Sequence, residues 1–100
     1  MEFEKNIDII YNENVIKCQD IERKIEKAYS QLIKLTNEVQ RLGEQYKRAK
    51  SLGKKSQCFS LKMSLTTVIH VQRAYCCYVA KKMSELQRIK LKEASMFIEV

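Results

Sequence analysis

An unbroken seven-residue repeat runs from Cys18 to Ala49. Alternating steps of three and four pass through Cys18, Ile21, Ile25, Ala28, Leu32, Leu35, Val39, Leu42, Tyr46 and Ala49, with no polar side chain except the amphipathic Tyr46. A spacing that averages 3.5 residues keeps one stripe of an α-helix turned towards a partner, so the repeat predicts one long helix with one buried seam. Tyr29, Ile33 and Thr36 lie beside the stripe and widen it. A face broader than a two-stranded zipper calls for more than one neighbour.

The rest of the chain is compatible with few elements. It holds 100 residues with no proline and two glycines, which fits a few long helices in a single domain spanning 1–100. Phe3, Ile7 and Ile10 share one face of a short leading helix over about 2–11, with Glu2 and Glu4 at its start, where the helix dipole favours anions. Asn12-Glu13-Asn14 interrupts that pattern, and Asn14 is a suitable cap for a long helix over about 15–50. Gly43 lies inside this helix, a place that favours close approach of another backbone or simple tolerance of the cost. The turn falls at 51–56, around Gly53.

Residues 59–71 carry two signals. Phe59, Leu61, Met63, Leu65, Ile69 and Val71 alternate with mostly polar neighbours, which is a strand pattern strengthened by Thr66, Thr67 and Val68. Leu61, Leu65, Val68, Tyr75, Val79, Met83 and Leu86 also mark one helical face, and a lone strand has no pairing partner elsewhere. The reading adopted is a helix over about 58–96. Ala74 to Ala80 is apolar on every side of that helix and is expected at the centre of a bundle. Met96 to Val100 is too hydrophobic for an idle tail and is expected to dock or to continue into further chain.

Charge is unevenly placed. The net charge is +7; residues 1–50 hold ten Lys/Arg against nine Asp/Glu, and residues 51–100 hold nine against three. Such a bias suits nucleic acid, an anionic surface or an acidic protein. Arg73, Lys81, Lys82, Arg88, Lys90 and Lys92 form the basic face of the last helix. Arg73 interrupts the most apolar run, either snorkelling to the surface or pairing with Asp20, Glu22 or Glu26. The only aromatic after Tyr78 is Phe97, so the interleaving that base stacking requires is missing.

Catalytic chemistry finds little to use. Four cysteines, Cys18, Cys58, Cys76 and Cys77, are not expected to form a disulfide framework, because two are adjacent on one helix and the start does not read as a secretory signal. His70, Cys76 and Cys77 fall on different faces of one helix with no fourth donor, so core packing is the expected role rather than metal binding. No cofactor, metal or small-molecule substrate is expected, and the chain reads as a non-enzyme. The stretch Val68 to Ala80 is too short and too polar to span a bilayer.

Three stretches, Met1 to Ile10, Lys50 to Lys55 and Arg73 to Lys90, occur in an order that resembles the helical amino-terminal domain of the partner-of-Sld-five family in the GINS replication complex. Leu91 stands where that family usually has a tryptophan, and residues 1–100 do not extend into the family's small β-rich domain. The resemblance implies a non-catalytic, nuclear subunit of a four-protein assembly within the replicative helicase. From the residues alone, two other classes stay open: a cytoplasmic helical adaptor in vesicle tethering or SNARE regulation, and a basic DNA-binding module. The expected fold is all-α, a short helix followed by two long antiparallel helices within a larger helical bundle. The expected partner-binding residues are Leu32, Leu35, Val39, Leu42, Tyr46, Tyr75, Tyr78, Val79, Met83 and Leu86, with other helical subunits as partners and an acidic protein or DNA near the basic face.

Overall fold

A computed structural model describes residues 2–98, with side chains placed for residue 6 and for residues 8–95. Among the described residues the chain is two helices joined by a short turn. Helix α1 spans Glu2–Ser51 and helix α2 spans Lys55–Ile98. No strand occurs among the described residues. The side chains of Phe3 and Ile7, expected on one face of the leading helix, and those of Met96 to Val100, expected to dock or continue, lie outside the described residues.

Two boundaries differ from expectation. Helix α1 runs through Asn12-Glu13-Asn14 without a break, in place of separate helices over 2–11 and 15–50. Asparagine and glutamate cost a helix only a few tenths of a kcal/mol to about 0.7 kcal/mol each, too little to end one without a glycine or proline. The turn is tighter than 51–56, because its hydrogen bonds close over residues 52–54. Lys54 N–H donates to the Ala49 carbonyl at 3.0 Å and Gly53 N–H donates to the Lys50 carbonyl at 3.2 Å, the paired bonds of a Schellman motif. Gly53 has φ +70, a left-handed conformation that only glycine adopts cheaply.

Residues 59–71, which carry the strand pattern, lie within α2. Thr66 and Thr67 hydroxyls donate to the carbonyls of Lys62 and Met63 at 2.9 and 3.0 Å, so these β-branched residues satisfy their polar groups within the helical turn.

The chain divides into two compact units. Residues 28–78, the part that contains the turn, form one; residues 1–27 with 79–100 form the other. Within the turn unit the last half of α1 folds back on the first half of α2. The Gln72 side-chain amide donates to the Thr36 hydroxyl at 3.0 Å, which fixes their register. On α1 the stripe Leu32, Leu35, Val39, Leu42, Tyr46 and Ala49 is buried or half-buried throughout. On α2 the matching stripe is Cys58, Leu61, Leu65, Val68, Gln72 and Tyr75, at the same alternation of three and four. In the other unit, Cys18, Ile21 and Ile25 on α1 and Val79, Lys82, Leu86 and Ile89 on α2 hold the corresponding positions.

The core is thin. Among the described residues only Ile21, Ala28, Leu42, Ala49 and Val79 count as buried, and no large side chain is sealed off completely.

Candidate interaction surface

What the fold leaves uncovered is its most informative feature. In the turn unit Tyr29, Ile33, Leu52, Phe59, Met63, Val71 and Tyr78 are exposed, with Ile33 at 63% and Phe59 at 69%. Tyr29 and Ile33 each follow a seam residue of α1 by one position, whereas Val71 and Tyr78 each precede one on α2. In an antiparallel pair those positions border opposite sides of the seam, so both sides are open. A shallow depression of about 200 Å³ lined by Ala74, Tyr75 and Tyr78 lies on the α2 side.

The other unit exposes Ile9, Ile10, Tyr11, Ile16, Met83 and Leu91. Its depression of about 220 Å³ is lined by Glu85, Arg88, Ile89 and Lys92, a charged rim over one apolar side chain.

Each expected partner-binding residue can now be placed. Leu32, Leu35, Val39, Tyr46 and Tyr75 are half-buried, Leu42 is buried, and all six belong to the seam of the turn unit. Val79 and Leu86 belong to the seam of the other unit. Tyr78 and Met83 are exposed. The repeat passes through Lys82 rather than Met83, although Met83 is the more apolar choice. Ala74, Cys76, Cys77, Tyr78 and Ala80, expected at the centre of a bundle, are exposed, because one seam occupies only one stripe of the helix.

The basic residues divide in a similar way. Arg73, Lys81, Arg88, Lys90 and Lys92 are exposed, while Lys82 is half-buried with its ammonium 3.2 Å from the Glu85 carboxylate. Arg73 takes part in none of the ion pairs among the described residues, and Asp20 lies 3.0 Å from Lys24 on its own helix. Arg41 forks onto Glu38, donating from Nε to Oε2 at 3.0 Å, and this hydrogen bond holds the Glu38 carboxyl below the usual glutamate range. His70, Cys76 and Cys77 are all exposed, and no group of three or more His, Cys, Asp or Glu converges among the described residues.

In the turn unit, the exposed apolar residues that sequence reasoning did not select as a surface are Leu52, Phe59, Met63 and Val71. Their signal was present: each is apolar yet falls off the alternating repeat. No protein-family model, curated protein or solved structure matches the chain.

Proposed function

We propose that this chain is a non-catalytic structural component of a hetero-oligomeric helical assembly. Other helices cover the two open sides of its seam. The observation that carries this reading is the apolar surface left open on both sides of the turn unit's seam, with Ile33 at 63% exposure. Tyr29, Ile33, Val71 and Tyr78 supply its apolar contacts.

The GINS resemblance gives the assembly a narrower form, a nuclear replication-helicase component with three further helical subunits. The test is purification of the tagged chain from its own cells with identification of stoichiometric companions. Three homologous helical subunits support the narrower form, and any fixed set of helical partners supports the general one. Recovery of the chain alone, as a cooperatively folding monomer, refutes both.

A further inference from the structure

We propose that the turn end of residues 28–78 is a docking surface for an anionic phospholipid bilayer, distinct from the residues Tyr29, Ile33, Val71 and Tyr78 that other helices cover. Residues 45–84 hold nine Lys/Arg and no Asp/Glu. Six of them, Lys47, Arg48, Lys50, Lys54, Lys55 and Lys62, lie within about 12 Å of the turn along the helix axes, at 1.5 Å per residue. All six are exposed, and none enters an ion pair among the described residues. Along the helix axes the cluster extends little more than one Debye length at ordinary salt, so neighbouring charges act on a facing surface together.

The same end exposes Leu52 at 67%, Phe59 at 69% and Met63 at 57%. Phe59 and Met63 are four residues apart on α2 and lie beside one another on its surface, away from the seam residues Cys58, Leu61 and Leu65. The fold leaves more than half of each of these side chains open. It also gains nothing from Lys54 and Lys55, which sit at the positive end of the α2 dipole with no acidic residue in the first turn. Residues that work against local stability at one exposed place point to something outside the chain.

Cations ringing exposed apolar side chains fit a bilayer interface, where the charges meet headgroups and the apolar groups enter the acyl boundary. Nucleic acid fits less well. Five of the six cations are lysine rather than the forked arginine that grips single phosphates, and only one of the three apolar groups is an aromatic that stacks on bases. No helix among the described residues is long and apolar enough to cross a membrane, so the contact is with the surface.

The test is co-sedimentation of the full chain with vesicles of phosphatidylcholine alone or mixed with phosphatidylserine. Binding to the mixed vesicles only, weakening as salt rises, is expected. Replacing Lys50, Lys54 and Lys55 with glutamine lowers the affinity about fivefold per lysine, on the order of a hundredfold together. Replacing Phe59 and Met63 with glutamine lowers it on the order of a hundredfold at unchanged charge, with helicity retained by circular dichroism. Three results would overturn the proposal: no binding to the mixed vesicles, indifference to the Phe59 and Met63 replacements, or tighter binding to a DNA duplex in the same buffer. None of these bears on helical assembly, which uses other residues.

Discussion

Gly53 and Gly43 are the chain's two glycines, and the structure gives them opposite roles. Gly53 holds the left-handed position that lets Lys54 N–H and Gly53 N–H close the end of α1. Gly53→Ala is expected to cost about 1 to 2 kcal/mol, read as a lower midpoint in urea unfolding. Gly43 is helical, and a Cβ built on it meets nothing within 4 Å. Gly43→Ala should therefore stabilise the isolated chain by about 1 kcal/mol, the helix-propensity difference, in the same measurement. If that substitution also weakens co-purification of partners, a companion backbone approaches α1 there.

Glu38 provides a pH probe at the same scale. Its carboxyl is held low by the hydrogen bond from Arg41, so the stabilisation it provides is full above the unfolded glutamate pKa and is lost as pH falls through the lower folded value. A carboxyl-detected NMR titration should find Glu38 titrating below the ordinary glutamate range, and Arg41→Gln should return it towards that range. The pair is exposed, so the effect belongs to this site and adds little to global stability.

Among the elements, the seam and its borders should respond differently. Leu42 is buried at 6% exposure, and Leu42→Ala is expected to cost about 2 to 3 kcal/mol. Ile33 is 63% exposed, so Ile33→Ala should change the isolated chain by less than about 0.5 kcal/mol. The α1 seam was legible from Cys18 to Ala49 because every position on it is apolar, apart from the hydroxyl of Tyr46. The α2 seam was harder to read, since Gln72 and Lys82 occupy positions where apolar residues were sought and Met83 lies one step away. Gln72 keeps its place through its bond to Thr36, a pairing between helices that no single-helix pattern announces. The Asn12 to Asn14 segment was misleading for another reason: a good capping residue permits a helix start without requiring one.

The candidate surface was legible only in part. Tyr29 and Ile33 were recognised as extending the apolar face, but Phe59 and Met63 were absorbed into a competing strand pattern. Assigning them to a surface required knowing which stripe of α2 faces α1.

At the scale of the whole molecule, the two proposals make separable demands. All of the net charge of +7 resides in residues 28–78, which hold nine Lys/Arg against two Asp/Glu; the remaining residues balance. A helical assembly on an anionic membrane would favour the tethering-adaptor class over the replication class. Failure of lipid binding would leave the helix-docking sides as they are. The measurement closest to the central claim is the mass, by sedimentation equilibrium, of the native particle that contains this chain. The account predicts a mass well above 11.8 kDa in fixed stoichiometry with other helical chains, reduced when Ile33→Glu places a charge on the open side of α1. A native particle of 11.8 kDa, unchanged by that substitution, would contradict it.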